Sequence, residues 1–312
     1  MNGHRSHQHP SASRCLIVNA DDFGLSDGVT EGILRAWRDG IVTSTSVLIN
    51  IDGAPEQVAA AHAAYPDLPM GLHLNITTGR PVLPPEQVPT LIDSNGNFYA
   101  SDAIIERLPT IALSDLRAEL DAQARRFTAT GVPFDHLDYH QHILALYTPF
   151  YPLVRELARS YGVPVRQPVP ESVYGRVRLD GKGSAAATLR TMIRFALRHP
   201  VLALRLMPSM TPAAYKRQAA LLKAEGIGAP DWFIDSYFGH ATVENFIALL
   251  RQLPPGSSEV MVHPAIVDEQ LRQLGAGYVA ERAQELVVLL DPRVREALAA
   301  YHVQLVNFSA RM

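Results

Sequence analysis

The sequence predicts an α/β protein built as a single (β/α) barrel, incomplete or distorted, with about seven parallel strands. Three observations lead there. Strand-like and helix-like stretches alternate along most of the chain, the 312 residues suit one barrel, and polar clusters recur directly after short apolar runs. The loops that follow parallel strands are where α/β proteins collect their chemistry. An open doubly wound sheet is the alternative arrangement of the same units.

The elements follow in order. Residues 15–18, Cys-Leu-Ile-Val, are β-prone and end at Asn19-Ala-Asp-Asp-Phe-Gly24, which reads as a buried strand opening onto a polar turn. Residues 28–39 have helical periodicity, and Gly40 stops them. A β-branched strand is expected over 43–50, an alanine-rich helix over 54–64 ended by Tyr65-Pro66, and a third strand over 70–75. Residues 79–112 are rich in Pro, Asp, Asn and Gly and read as an irregular excursion. Ser114 is placed as the cap of a helix running to about Thr130, broken by Gly131-Val-Pro133. A fourth strand is expected over 134–140, a helix over 149–161 and a fifth strand over 163–166. Strands at 259–263 and 303–308 and helices near 242–252, 279–290 and 294–301 complete the pattern.

Residues 1–13 form a polar leader that carries His4, His7 and His9, expected to be disordered. Residues 14–312 form one domain, with an insertion at about 173–228. Residues 181–224 contain no acidic side chain, and Arg190, Arg194 and Arg198 make a stripe beside Leu189, Met192, Ile193, Ala196 and Leu197. That stretch reads either as a basic, solvated helical insertion or as a lid facing an anionic or lipid-borne substrate.

Composition narrows the function classes. Hydrophobic residues are 47% and charged residues 19%, the balance of a globular protein with a large core, and the net charge of −3 offers no basis for nucleic-acid binding. The single cysteine, Cys15, cannot close an internal disulfide and is expected to be a buried, inert thiol. With no secretory signal and no long apolar span, a cytoplasmic location is expected.

The chemistry lies at the strand ends. Adjacent carboxylates repel, so Asp21 and Asp22 call for a nearby cation or strong donor. Strand alternation puts Asn19 and Asp21 on one face, with Asp22 at the turn. His73, in Gly71-Leu-His-Leu-Asn75, is either a hydrogen-bonded core residue or a ligand. In Asp135-His-Leu-Asp-Tyr-His-Gln-His142, period-2 alternation would place His136, Asp138, His140 and His142 on one face of one strand. Three imidazoles and a carboxylate are hard to bury as ordinary core. A divalent cation would explain them, with the carboxylate fixing a ring tautomer from outside. His263 ends the apolar run Glu259-Val-Met-Val-His and suits a general acid or base. A parallel barrel brings these ends to one rim, where one carboxylate and two imidazoles make a facial ligand set with open positions, as hydrolytic metals require.

Val18-Asn-Ala-Asp-Asp-Phe-Gly-Leu25, Gly40-Ile-Val-Thr-Ser44, Gly71-Leu-His-Leu74, His136-Leu-Asp-Tyr-His-Gln-His142 and Glu259-Val-Met-Val-His-Pro-Ala265 together resemble the YdjC family of carbohydrate deacetylases, relatives of the NodB-type polysaccharide deacetylases. The resemblance implies a (β/α) barrel and metal-dependent removal of an acetyl group from an N-acetylated amino sugar, free or lipid-linked. It implies that Asp22, His73 and His140 bind one divalent ion, Mg2+ or Zn2+, that Asp21 is the base and that His263 is the acid. His142 would face substrate, Asp138 would support a ligand, and Arg166, in Val165-Arg-Gln-Pro168, resembles the arginine that orients the base. Arg80-Pro-Val-Leu-Pro-Pro-Glu-Gln-Val-Pro89, the basic insertion and Leu253-Pro-Pro-Gly256 are similar to the hopanoid-biosynthesis-associated branch, which would imply a glycolipid substrate and peripheral membrane contact. Homodimer assembly stays open. The rival readings are a metal-dependent phosphoesterase, expected to carry more carboxylates, and a non-catalytic sugar-binding barrel.

Overall fold

The computed structural model describes residues 13–179, 197–274 and 278–310. Seven parallel strands carry the fold: β1 (Arg14–Phe23), β2 (Ser44–Val47), β3 (Met70–Leu74), β4 (Leu137–Tyr139), β5 (Trp232–Ile234), β6 (Gly256–Val262) and β7 (Val303–Leu305). They lie in the order β4-β3-β2-β1-β6-β5, and β7 pairs with the start of β1. Single-residue bridges from Leu137 to Val165 and from Pro170 to Phe233 continue the curve between β4 and β5. The result is an incomplete (β/α) barrel with helices outside.

The register sets the inner surface. Asn19 lies opposite Ser44 and Met261, Ser46 opposite Gly71, and His73 opposite Asp138. Alternation therefore turns Asn19, Ser46, His73, Asp138 and Glu259 inward, while Leu16, Val18, Leu72, Leu74, Val260 and Val262 join the apolar layer under the helices. The inside of this barrel is polar, and it is plugged from below. His136 is fully buried at the floor, stacked on Phe308 with ring centroids 3.8 Å apart. Gly71 makes room for that ring, because a Cβ there would come within 2.2 Å of it.

The helices start and pack as their ends dictate. Ser26 caps helix Asp27–Arg38 by accepting from Val29 N–H, and Thr242 caps Val243–Gln252 by accepting from Asn245 N–H. Helix Asp27–Arg38 runs against the chain that follows β6 so closely that a Cβ at Gly32 would lie 2.5 Å from Ala265 Cα. Ile266 N–H donates to Gly28 O at 2.9 Å, and Gly28 N–H donates to Asp268 at 2.6 Å, so this helix fixes the loop carrying His263.

Several expectations need correcting. The segment 163–166 is no strand: Pro164 lies inside it and Pro168 just beyond, and it makes one bridge, with Leu137 N–H donating to Pro164 O and Val165 N–H to Gly228 O. Strand β5, only three residues long between Pro230 and Asp235, escaped the sequence reading. Ser114 lies inside helix Leu113–Thr128, where its hydroxyl donates to Asp115; Ala112 holds the cap position without a side-chain bond. The excursion at 79–112 contains one α-helix, Ser101–Arg107, and two single 3-10 turns, Pro85–Gln87 and Leu108–Thr110. Cys15 is half-buried rather than buried. The leader through residue 12 and most of the basic stripe, Leu189 to Ala196, lie outside the described residues. Among the described residues, no helix is long and apolar enough to cross a membrane.

Candidate metal centre and active site

Asp21 and Asp22 should point to opposite faces of a strand, yet both line one cleft. The backbone at Asp22 explains it. Its φ of 73° is left-handed, and the register of β1 against β2 shifts between Ala20 and Phe23. This kink turns both carboxylates to the rim, in a conformation that a non-glycine residue adopts only when its surroundings hold it.

The His-rich segment likewise departs from a straight strand. β4 ends at Tyr139, and Gln141 and His142 take φ of 52° and 59°. The single-face reading of His136, Asp138, His140 and His142 therefore holds as far as His140 and fails at His142. His136 is at the floor, Asp138 in the barrel wall, His140 at the rim, and His142 rests half-buried against Phe233 with centroids 5.2 Å apart.

The rim brings three ligand atoms together. His140 Nδ1 lies 3.0 Å from Asp22 Oδ1 and 3.3 Å from His73 Nε2, and His73 Nε2 lies 3.4 Å from Asp22 Oδ1. Three ligands each about 2.1 Å from a shared ion stand roughly 3.0–3.4 Å apart, depending on octahedral or tetrahedral angles. The triangle fits that requirement. Among the described residues, buried Asp22 Oδ1 faces no donor other than these two imidazoles, which also suits a cation. Asp21, His73 and Asp138 form a second set of compatible donors. In that set, however, Asp21 and Asp138 are already engaged by the buried guanidinium of Arg166, so the Asp22 set is the better fit.

Each ligand is braced from behind. Asp138 accepts from His73 Nδ1 at 2.7 Å and from Ser46 Oγ at 2.7 Å, which leaves His73 Nε2 facing the triangle. Thr78 Oγ1 lies 3.0 Å from His140 Nε2. Arg282 donates to Asp22 Oδ2, while its Nε and Nη1 are buried without partners among the described residues. Arg166 donates to Asp21 through Nη1 at 2.8 Å and Nη2 at 2.7 Å, to Glu259 through Nε at 2.7 Å, and its Nη2 lies 2.9 Å from Asp138. Asn19 also donates to Asp21, at 2.8 Å.

The electrostatics follow from this crowding. Burial is the largest influence on Asp21 and raises its carboxyl, but Arg166 and His73 together outweigh it and hold the group below its ordinary value. At Asp22, burial is outweighed by Arg282 and His140, and the carboxyl sits well below the usual range. Burial opposes a charged His73, yet Asp138 and Asp21 overcome it and raise the ring to about 10. Such proton affinity marks surplus negative charge at the place a cation would occupy. Across the cleft, burial and then Arg282 push His263 down to about 4. The His263 N–H donates to Glu285, whose carboxyl burial drives up to about 7, and Tyr278 Oη donates to the same carboxyl at 2.6 Å.

Against this geometry the comparisons with known proteins are specific. A sequence profile of the family described as YdjC-like protein matches residues 15–300. The chain belongs to the YdjC-like family. The YdjC-like chain is 31% identical over 297 residues to the carbohydrate deacetylase of Brevibacillus brevis (strain 47), a match covering 94% of this chain and 98% of that protein. It is 30% identical over 300 residues to the chitooligosaccharide deacetylase of Yersinia pestis (strain Pestoides F), covering 95% and 98%. A crystal structure from Enterococcus faecalis V583, described as a "putative cellobiose-phosphate cleavage protein", superposes with a TM-score of 0.77 at 26% identity and covers 96% of this YdjC-like chain and 99% of the other.

The sequence reading missed Phe238, Tyr278 and Arg282, which line the YdjC-like cleft, and Glu285 behind them. Arg282 and Glu285 lie on the buried face of helix Val279–Leu290 beside Leu286 and Leu289. The signal was present, as charges in the positions of an apolar stripe, but that pattern alone assigns no role. Glu259 was quoted within a strand motif, and its inward register is visible only from pairing.

Proposed function

We propose that this chain hydrolyses the N-acetyl group of an N-acetylated amino sugar, with one divalent ion held by Asp22, His73 and His140. The observation that carries the proposal is the buried triangle of those three donor atoms, with Asp21 beside it and His263 in the same cleft. The deacetylases that the chain resembles along nearly its whole length support the substrate class. The bound ion would supply a Lewis acid for the acetamide carbonyl and a lowered pKa for water; two imidazoles and one carboxylate suit Zn2+ and also accommodate Mg2+.

The protein's own groups do the rest. Arg166 and Asn19 fix the plane of the Asp21 carboxylate, and Arg166 keeps it ionised at neutral pH, able to accept the proton of the attacking water. His263 protonates the departing amine nitrogen, so that acetate and a free amino sugar result. Burial and Arg282 push His263 below the ordinary imidazole value, and the proton delivered to nitrogen is balanced by the one Asp21 takes from water. Asp138 keeps His73 in the tautomer that presents Nε2 to the ion.

A second reading concerns the carrier of the sugar. Leu197, Val201, Leu204 and Met207 are all exposed, at 63–78%, in a stretch that also holds Arg198 and Arg205. An apolar face flanked by arginines favours a lipid-borne substrate presented at an anionic surface.

The test is acetate release from di-N-acetylchitobiose and from an N-acetylglucosaminyl glycolipid in vesicles, each with and without EDTA. Release that EDTA abolishes and a divalent ion restores supports the proposal, and the preferred carrier decides the second reading. Phosphate release from sugar phosphates with no acetate release would replace it with a phosphoesterase.

A further inference from the structure

Beyond the carboxylates and imidazoles, the cleft of about 920 Å³ has an aromatic wall that the chemistry above does not use. Phe238 follows β5 at the rim and is 46% exposed, the only phenylalanine among the large exposed apolar side chains described. One of its faces stacks on Tyr278, with ring centroids 4.1 Å apart and planes 16° from parallel. Its edge relation to His263 has centroids 5.4 Å apart at 76°. The stack is not loose. Tyr278 Oη accepts from Gly239 N–H at 3.0 Å and donates to Glu285 at 2.6 Å, and Glu285 in turn accepts from the His263 backbone. One carboxylate thus ties the position of the aromatic wall to that of the imidazole.

We infer that Phe238, backed by Tyr278, is the stacking platform for the pyranose ring that carries the scissile acetamide. The inference rests on the deacetylase reading, which places the departing nitrogen, and with it the sugar, on the His263 side. A pyranose with axial hydrogens presents an apolar face, and a flat ring held by its neighbours offers matching area with little ordering penalty. The acetyl group then points away from Phe238 toward the Asp22, His73 and His140 donors. Phe238 is a specificity residue for the sugar and takes no part in proton transfer.

The experiment compares wild type with Phe238→Ala, Phe238→Leu and Phe238→Tyr, each carrying its metal. Two readouts are used: KM and kcat on di-N-acetylchitobiose, and saturation-transfer NMR of the same sugar. Expected are a rise in KM of about tenfold or more for Ala and Leu with kcat changed less than about threefold, loss of saturation on the axial ring protons, and near wild-type behaviour for Tyr. Wild-type KM and saturation in Phe238→Ala would overturn the inference. So would full recovery by Phe238→Leu, since leucine covers His263 but has no flat face. If the wild type releases no acetate, the deacetylase reading fails by itself. The NMR arm still decides whether Phe238 binds a pyranose.

Discussion

Arg166 grips Asp21 through both terminal nitrogens, at 2.7 and 2.8 Å, and the same guanidinium reaches Glu259 at 2.7 Å. A fully buried cation thus balances carboxylates from three strands, and a planar fork is what lets it do so. Arg166→Lys should therefore behave as a severe change. A single ammonium cannot span these partners, and a buried carboxylate left without its donor costs about 1–3 kcal/mol. Urea unfolding should show a loss of that order, and kcat/KM should fall at least about a hundredfold as Asp21 loses its fixed plane.

The donor triangle and Asp21 should separate in metal analysis. His73→Ala and His140→Ala each remove one corner, and their purified proteins should hold less than a tenth of the wild-type metal by elemental analysis. Asp21→Asn should retain the ion while acetate release falls by about a thousandfold or more. Wild-type turnover in Asp21→Asn would remove the base assignment.

Glu285 predicts a pH signature in stability. Its folded-state value lies near 7, above the ordinary carboxyl value, because burial penalises the anion. Native protein therefore holds this proton more tightly than unfolded chain, so the group's stabilising contribution is fully present below about 4.5 and is lost as pH rises toward 7. Denaturant titrations should show that Glu285→Gln flattens the decline across that window by up to about 3 kcal/mol, whatever its constant offset. Parallel curves for the two proteins would contradict the assignment.

Gly32 predicts a link between packing and chemistry. An alanine there would place its Cβ 2.5 Å from Ala265 Cα, backbone that cannot swing aside. Gly32→Ala should destabilise by about 1–3 kcal/mol and also lower kcat/KM, because the displaced segment begins two residues after His263. A thermal-shift assay beside acetate release would show both.

How much of this was legible in the sequence depended on the reach of each signal. Asp21, Asp22, His73 and His263 stand at the ends of apolar runs, so chain order alone exposed them. His140 was found for a reason that is only partly right: alternation carries from Asp138 to His140, but a left-handed turn at Gln141 and His142 ends it before His142. The braces were harder. Arg282 lies 260 residues from Asp22, and Ser46 lies 92 from Asp138, so only the closed barrel reveals these contacts. Strand β5 was missed because three residues carry too little periodicity, and 163–166 looked like a strand because its prolines matter only once pairing is considered.

The left-handed backbone at Asp22 has a consequence for anyone improving this protein. A glycine at that position would relax the turn by up to about 1 kcal/mol, but it would strand the buried guanidinium of Arg282, at a cost of about 3–5 kcal/mol. The same change would delete the carboxylate corner of the donor triangle. A rule that puts glycine wherever the backbone is left-handed would therefore fail at this one residue, where stability and function would be lost together.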